Sequence, residues 1–268
     1  MANILIINGS MRKNGNCHII EKSVIQGIKK IKGIKIQEFV FAGKNFSGCR
    51  AECVSYCMKN GQCCIKDGLQ ELWELFLWAD GIVWIVPVYH VGVPGQVKCA
   101  MDRLCNMQYS YFQGQYPRWN KVWGAIVQGS SRWGGQEFTI QWLIESALLM
   151  KCLPVTGDAP GSYFGVAGYA PTWEKESIRE DKMALELSEN MGQRVAETTK
   201  IVKYGIDCLR EELDQRYFPE ECMKQRKHMS LEISNDWQRK GEKTQKSSGN
   251  EAQKNSLAKN NFCTYEPV

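Results

Sequence analysis

Five of the twelve cysteines lie close together in the first quarter of the chain. They follow the spacing C-x-x-x-C-x-x-x-C-x-x-x-x-x-C-C and are Cys49, Cys53, Cys57, Cys63 and Cys64. Thiolates bind zinc and iron and take part in redox exchange, so three chemistries stay open: an iron-sulfur cluster, a zinc site or redox-active thiols, and plain burial. A four-cysteine zinc site usually has two close pairs with a longer gap between them, which this spacing does not resemble.

A polar loop that contains glycine follows the first apolar run of the chain, Ile4 to Ile7. It spans Asn8 to Cys17 and stands directly before a segment with helical spacing. Backbone amides in such a loop and the positive end of the next helix attract an anion, and Ser10, Arg12 and Asn16 add side-chain donors. The loop predicts a phosphate site, with a simple strand-to-helix turn as the alternative. Its spacing is neither G-x-G-x-x-G nor G-x-x-x-x-G-K-[ST], which disfavours dinucleotide binding on a Rossmann fold and nucleotide hydrolysis.

Two more loops with binding features follow later apolar runs. The loop Pro87 to Gly92 follows the run Ile82 to Val86, and the loop Gln128 to Gly135 follows the run Val122 to Val127. The second of these ends in two adjacent glycines, which let a backbone approach a flat ligand closely. Open α/β sheets bind ligands at the carboxyl ends of their strands, so we expect the three loops to meet at one edge of a sheet.

The elements that position these loops alternate between strands and helices. The predicted strands are Ile4 to Ile7, Ile34 to Val40, Ile82 to Val86, Val122 to Val127 and Cys152 to Val155. The predicted helices are Cys17 to Lys30, Leu69 to Trp78, Pro94 to Asn106, Gly135 to Met150 and Lys182 to Lys203. Fully apolar strands indicate burial on both faces, as in a parallel sheet between helices. The sequence therefore predicts an α/β protein with a five-stranded parallel sheet in a three-layer α/β/α sandwich.

The composition divides the chain of 268 residues into three parts. Residues 1–205 form the α/β domain, and residues 46–66, which we call the cysteine segment, are an insert within it. Residues 206–237 are charged with intermittent apolar positions and predict a helical extension. Residues 238–268 hold too few apolar side chains to repay the entropy of ordering, so we expect a disordered tail.

Other classes of protein are disfavoured by charge and hydropathy. The longest apolar stretches, such as Gly81 to Val88, have strand length, and we expect no transmembrane helix and no membrane partner. The first residues lack the features of a secretory signal, which predicts a cytoplasmic protein. The net charge of +5 is modest and its basic residues do not gather into a stripe, so nucleic-acid binding is not predicted.

The three loops resemble those of the NADPH-dependent FMN reductase and flavodoxin-like superfamily. The first loop of that superfamily reads G-S-x-R-x-x-G-N-T, and this chain has Cys17 in place of the threonine. Its second loop reads S-P-V-Y-[FW]-G and precedes a helix with K-x-x-x-D-R, matched here by Lys98, Asp102 and Arg103, for which we expect a salt bridge at the helix surface or end. The third loop resembles the G-G-S-R-x-G-G-Q-E-x-T-I-Q signature of the iron-sulfur flavoprotein branch.

This resemblance implies a flavodoxin-like sheet of order 2-1-3-4-5 with FMN at its carboxyl edge. The FMN contacts that it implies are Ser10, Arg12, Gly15, Asn16, Cys17, Pro87, Val88, Tyr89, His90, Val91, Gly92, Ser130, Arg132, Gly134 and Gly135. A thiol is a weak hydrogen-bond donor, so the change to Cys17 removes a phosphate contact on the order of 1 kcal/mol. Tyr89 and His90 have an ordinary aromatic turn as their alternative, and no side chain is required as a catalytic acid or base.

The resemblance also favours a [4Fe-4S] cluster in the cysteine segment. The iron-sulfur flavoproteins carry C-x-x-C-x-x-C and a later C at this position, and the wider spacing here requires extra residues to loop out. The implied ligands are Cys49, Cys53, Cys57 and Cys63. Cys63 is preferred over Cys64 as the fourth ligand because it follows Gly61 and Gln62, as the family's last cysteine follows a glycine turn.

Three functions are compatible with these features. The first is an FMN-dependent oxidoreductase that takes electrons from NAD(P)H and reduces a flavin, a quinone or another small acceptor. The second is an electron-transfer iron-sulfur flavoprotein between a ferredoxin-like donor and a partner enzyme. The third is a flavodoxin-like scaffold that has lost FMN. The resemblance further implies a homodimer or homotetramer.

Overall fold

The structure is a computed structural model that describes residues 1–114, 116–157, 160–220 and 222. Met1–Met223 form one compact unit, and a second unit, Lys224–Val268, lies outside the described residues. The predicted tail, residues 238–268, therefore also lies outside them, and the predicted extension, residues 206–237, is described only in its first part.

The sheet consists of the strands β1 (Ala2–Asn8), β2 (Ile34–Val40), β3 (Gly81–Pro87), β4 (Val122–Gly129), β5 (Leu153–Pro154) and β6 (Val166–Tyr169). These strands are all parallel, and their order is β2-β1-β3-β4-β5, with β6 also paired to β4. The predicted flavodoxin-like order 2-1-3-4-5 is confirmed. The first four strands coincide with the predicted apolar runs within two residues at each end.

The fifth position of the sheet differs from the single strand expected at Cys152 to Val155. Two short strands share it: β5 pairs with the start of β4 at Val122 and Trp123, and β6 pairs with its end from Ile126 to Gly129. The pairing of the first ends with Val155, whose N–H still donates to the backbone oxygen of Trp123 at 2.9 Å, because turn-forming residues follow it.

Six α-helices occur in the described part of the chain, and none of them is long and apolar enough to cross a membrane. They are α1 (Asn16–Lys29), α2 (Val54–Asn60), α3 (Leu69–Trp78), α4 (Gly95–Tyr111), α5 (Gln136–Leu149) and α6 (Lys182–Cys208). Two short 3-10 helices flank α6: Ser177–Glu180 precedes it and Gln215–Tyr217 follows it. Five helices match predicted ones, whereas α2 lies inside the cysteine segment and was not predicted. Helix α4 continues past its expected end at Asn106, and α6 continues past the expected domain boundary at residue 205.

Two apolar layers cover the two faces of the sheet, which confirms the predicted sandwich. Alternate side chains of β1 take opposite sides: Leu5 and Ile7 pack toward α3, α4 and α5, and Ile4 and Ile6 pack toward α1 and α6. Helices α1 and α6 approach so closely that a Cβ on Gly192 would lie 2.3 Å from the backbone oxygen of Val24. This packing holds the start of α1, and with it the first loop, against the carboxyl edge of the sheet.

Candidate functional site

A cleft of about 570 Å³ opens at the carboxyl ends of β1, β3 and β4. Its lining residues are Ser10, Arg12, Gly15, Asn16, Pro87, Val88, Tyr89, His90, Gln128, Gly129, Ser130, Ala170, Thr172, Trp173, Glu174 and Lys175. The structure therefore brings the three loops singled out in the sequence to one cleft, where an open α/β sheet binds its ligands.

The first loop is shaped by short hydrogen bonds to its own side chains. The backbone N–H of Ser10 donates to Asn8 Oδ1 at 3.1 Å, and that of Arg12 donates to Ser10 Oγ at 3.1 Å. A Cβ on Gly9 would lie 2.7 Å from Val86 Cγ1, so only glycine fits there. Helix α1 begins after Gly15 with no side chain capping its first turn, which leaves amide donors for an anion.

Two predicted phosphate contacts of this loop also tie down a distant segment. Arg12 Nη1 donates to the backbone oxygen of Trp173 at 3.4 Å. Asn16 Oδ1 accepts from the backbone N–H of Ile178 at 3.2 Å. The amide group of Asn16 keeps its N–H donors in this arrangement, and Arg12 is exposed at the cleft. Both side chains therefore line the cleft and tie the first loop to the chain between Trp173 and Ile178.

The second loop turns sharply at its tip. Tyr89 and Gly92 exchange two backbone hydrogen bonds of 2.8 and 3.0 Å, and between them His90 and Val91 have φ angles of 48° and 65°. Two left-handed residues in succession suit glycine or asparagine, and a β-branched valine with positive φ is strained. Tyr89 and Val91 are about half exposed at the cleft mouth. The loop therefore presents a rigid, strained turn to a ligand.

The third loop packs directly against the second. Gly135 has a φ of 104°, and a Cβ on it would lie 2.7 Å from the Cα of Val91. The buried side chain of Gln136 holds the loop: its Oε1 accepts from Gly134 N at 3.0 Å, and its Nε2 donates to the backbone oxygen of Ser131. The requirement for glycine at 135 thus arises from contact between two loops, and the role of Gln136 was not foreseen from the sequence.

Six of the predicted contacts do not line the cleft itself; they are Cys17, Val91, Gly92, Arg132, Gly134 and Gly135. Val91 contacts Gly135, and the guanidinium of Arg132 lies 4.9 Å from the centre of the Tyr169 ring. Cys17 is buried under the first loop, where burial and then the charge of Glu21 raise the pKa of its thiol to about 12. These six predicted contacts therefore lie outside the lining of the cleft.

A fourth wall of the cleft was missed in the sequence. Ala170, Thr172, Trp173, Glu174 and Lys175 follow β6 and close the side opposite the first loop. Trp173 has 80% of its surface exposed although it stands at a cleft. The segment has no apolar period or motif, and the signal that the sequence offered was an isolated tryptophan followed by the charged residues Glu174 and Lys175.

The cysteine segment packs on α4 through a buried guanidinium. The side chain of Arg103 is 1% exposed and its Nη1 lies 2.6 Å from Asp67 Oδ2. Its Nη2 donates to Cys63 Sγ at 3.2 Å, and Asn106, one turn further, donates from Nδ2 to Cys49 Sγ at 3.4 Å. The expected surface salt bridge exists between Lys98 and Asp102 at 2.6 Å, but Arg103 is not part of it, which corrects that expectation.

The contacts between Arg103 and Asp67 favour the ionised form of both side chains, against the effect of burial. Burial by itself would raise the pKa of the Asp67 carboxyl, but the hydrogen bonds from Arg103 and from the backbone N–H groups of Ser47 and Leu69 together outweigh it, so the pKa lies below its ordinary value. Burial would likewise lower the pKa of Arg103, and its hydrogen bonds and charge interactions with Asp67 and Cys63 together reverse this. The pair is therefore a fixed charged anchor beneath the cysteines.

The cysteine thiols are gathered but do not converge. Cys53 lies within hydrogen-bond reach of Cys57 and Cys64. Burial, followed by the charge of the nearby Cys53, raises the pKa of Cys57 to about 12, and burial with the Cys53 hydrogen bond raises that of Cys64 to about 11. Across the described residues, no group of three or more His, Cys, Asp or Glu side chains is placed closely enough to hold a metal ion.

The donor set itself has the chemistry of an iron-sulfur site. Its members are thiols, and two N–H donors on α4 already point at their sulfurs. The Nε atom of Arg103 is buried without a hydrogen-bond partner within the described chain, so the guanidinium has one donor left over. The side chains present therefore have the right chemistry for a thiolate-bound cluster. To bind it, the segment would have to bring the sulfur atoms closer together.

The chain belongs to the NADPH-dependent FMN reductase family, which it matches over residues 2–161. This family comprises flavin-dependent oxidoreductases and supports FMN as the cofactor. No acceptor or electron donor follows from the match by itself.

Its relatives and structural neighbours agree with this family. An iron-sulfur flavoprotein of Methanocaldococcus jannaschii is 32% identical over 200 residues, covering 75% of this chain and 98% of the relative. An iron-sulfur flavoprotein of Archaeoglobus fulgidus is 33% identical, covering 72% and 95%. The structure of RosB bound to 8-demethyl-8-formylriboflavin-5'-phosphate aligns with a TM-score of 0.54 at 15% identity, covering 80% of this chain and 88% of that one. At that identity the structural match shows the flavodoxin-like fold alone.

Proposed function

We propose that this protein binds FMN in the cleft formed by its three loops and the segment 170–175, and works as an NAD(P)H-dependent reductase of a small acceptor. The observation that carries the proposal is the convergence of the loops on one cleft at the carboxyl edge of the sheet. Family membership supports the cofactor, and the uncapped start of α1 supports the placement of its phosphate in the first loop.

Each wall of the cleft has a separate task in this proposal. The first loop binds the phosphate through backbone amides and Ser10, and Arg12 neutralises its charge. The turn at Tyr89 offers backbone to the edge of the ring, and Ser130 bounds it from the side of β4. Trp173 shields the cleft from water. When bound, FMN supplies the hydride and one-electron chemistry, so no side chain needs to act as a general acid or base.

The electron donor can be determined by anaerobic mixing. Protein loaded with FMN should lose its flavin absorbance on addition of NADPH or NADH, followed by recovery when a quinone or free flavin is added. Dithionite serves as the control that the flavin is reducible. Reduction by dithionite with no reaction to either nicotinamide would contradict the reductase and favour an electron carrier.

An electron-transfer iron-sulfur flavoprotein is the second candidate, and the cysteine segment favours it. We propose that Cys49, Cys53, Cys57 and Cys63 hold a [4Fe-4S] cluster that exchanges electrons with a ferredoxin-like donor. Anaerobically prepared Cys53→Ser or Cys57→Ser protein should lack iron and sulfide. Cys105→Ser, on α4 outside the segment, is the matched control and should keep both.

The choice of fourth ligand is a separate question. Arg103 Nη2 donates a hydrogen bond to Cys63 Sγ, and the Cys64 thiol lies within hydrogen-bond reach of the Cys53 thiol. Cys63→Ser should lose the cluster and Cys64→Ser should retain it. The reverse result would transfer the role of fourth ligand to Cys64.

We further propose that a second subunit covers the cleft, in a homodimer or homotetramer in the cytoplasm. Large side chains beside the cleft are exposed in the single chain: Trp133 by 88%, Trp173 by 80% and Phe138 by 66%. Exposed aromatic residues of this kind are typical of interfaces. Light scattering of the FMN-loaded protein should give at least twice the chain mass, and a tight monomer would contradict the assembly.

A further inference from the structure

Both ends of the cysteine segment are hydrogen-bonded to one buried side chain, that of Arg103. Arg103 Nη1 donates to the backbone oxygen of Ser47 at 3.1 Å, and its Nη2 donates to that of Ile65 at 3.1 Å. Asp67 closes the arrangement, because its Oδ2 accepts from the backbone N–H of Ser47 at 3.0 Å as well as from Arg103. One guanidinium on α4 therefore ties together both ends of the segment that carries the cysteines.

The same helix face also reaches the sulfurs of the segment. Arg103 and Asn106 are three residues apart on α4, so their side chains lie on one face of the helix. They donate to Cys63 and Cys49, which stand near the two ends of the cysteine run. Hydrogen bonds to ligand sulfurs are one of the protein's means of setting the potential of an iron-sulfur cluster.

We propose that Arg103 and Asn106 are positioning residues for the cluster: Arg103 holds the cysteine segment in place before metal binds, and both residues raise the reduction potential through their N–H donors to sulfur. The inference rests on the proposed function in that a cluster is the group these thiols bind. Lysine cannot take over from Arg103, because an ammonium lacks the planar fork that reaches Ser47, Asp67, Cys63 and Ile65 together.

The first test uses anaerobically reconstituted holoprotein of the wild type, Arg103→Lys and Asn106→Leu, with Lys98→Gln as the control on the same helix. Under challenge by a chelator, Arg103→Lys should lose iron at a chelator concentration roughly tenfold lower than the wild type. Asn106 is exposed, so Asn106→Leu should keep its fold and its iron but show a lower cluster potential in a titration followed by electron paramagnetic resonance. Lys98→Gln should match the wild type in both. A wild-type potential for Asn106→Leu, or wild-type iron retention for Arg103→Lys, would overturn the proposal.

The second test needs no metal. In chelator-treated protein, peptides that cover residues 46–66 should exchange their amide hydrogens more than about tenfold faster in Arg103→Lys than in the wild type, with Lys98→Gln unchanged. Peptides of β1 and β3 report whether the fold is intact. If wild-type protein holds no iron after reconstitution, the cluster in the proposed function fails, and this exchange measurement still decides the role of Arg103. Unchanged exchange in residues 46–66 would overturn it.

Discussion

A buried chain of hydrogen bonds sets the shape of the first loop at the scale of single residues. Glu21 is 1% exposed, and its Oε2 accepts from Asn8 Nδ2 at 2.9 Å. This bond orients Asn8 so that its Oδ1 receives the backbone N–H of Ser10. Burial raises the pKa of the Glu21 carboxyl, although the hydrogen bond from Asn8 opposes the shift. The loop is therefore preorganised by residues that do not themselves line the cleft.

Arg12 should contribute directly to FMN affinity. Arg12→Ala removes a charged donor to a phosphate dianion and should weaken FMN binding by about 2 kcal/mol, roughly thirtyfold in Kd. Titration of apoprotein with FMN, followed by flavin fluorescence, measures the change. Lys13→Ala is the matched control, because Lys13 is the next residue and is exposed but does not line the cleft. Equal losses in both variants would mean that only the net charge of the loop matters.

Asp67 should make the stability of the fold sensitive to acid. Burial opposes ionisation of Asp67, but the hydrogen bonds from Arg103, Ser47 and Leu69 together lower its folded pKa, so its contribution is fully present above the unfolded value of about 3.9 and is lost as the pH falls through the folded pKa. At neutral pH Asp67→Asn should lower the free energy of unfolding by about 3 kcal/mol, because it leaves a buried guanidinium unpaired. Urea unfolding from pH 7 to pH 3 should show the difference from wild type shrinking below about pH 4. A difference independent of pH would contradict the ion pair.

At the scale of elements, the contact between the second and third loops explains why residue 135 is a glycine. Gly135 combines a positive φ with a backbone approach to Val91, whereas Gly95 at the start of α4 has neither constraint. Gly135→Ala should therefore cost at least about 2 kcal/mol of unfolding free energy and weaken FMN binding by displacing the second loop. Gly95→Ala should be neutral or stabilise by up to about 1 kcal/mol. Thermal unfolding and FMN titration of both variants test this, and similar values for the two would contradict the loop contact.

The sequence predicted elements well where apolar side chains decide the outcome. Apolar runs that are buried on both faces specified β1, β3 and β4, and the resemblance of the loops to the flavodoxin-like superfamily supplied the order of the sheet. The divided fifth position was not predictable in the same way, since an edge strand depends on local turns such as the one after Pro154. Helix α2 was not predicted from the sequence because Val54–Asn60 buries no side chain fully and so has no apolar period.

The candidate site was predictable only in part for a related reason. Loops that follow strong strands carried recognisable polar and glycine patterns, and nine of their predicted residues line the cleft: Ser10, Arg12, Gly15, Asn16, Pro87, Val88, Tyr89, His90 and Ser130. The wall at residues 170–175 follows a strand of only four residues and is held by a tertiary contact from Arg12 to Trp173, with Asn16 bound to Ile178 just beyond it. The burial of Arg103 depends on Asp67, thirty-six residues away, and no local pattern reports such a partner.

At the scale of the whole molecule, the fold is expected to be independent of the last residues. The composition of residues 238–268 provides too little apolar surface to join a core. Protein that ends at Trp237 should therefore retain FMN and change its Tm by less than about 2 °C. Differential scanning fluorimetry of the FMN-loaded forms provides the comparison. A large fall in Tm or loss of flavin would show that the tail contributes to the domain or to its assembly.

The account depends on FMN in the cleft at the carboxyl edge of the sheet, and a single preparation tests that claim. Protein purified without oxygen should show the visible spectrum of a flavin, and acid should release FMN, identified by chromatography against FAD and riboflavin, in an amount equimolar with the chain. Arg12→Ala protein that is prepared in the same way should release less FMN after dialysis. A colourless protein that takes up no added FMN, in either form, would contradict the account.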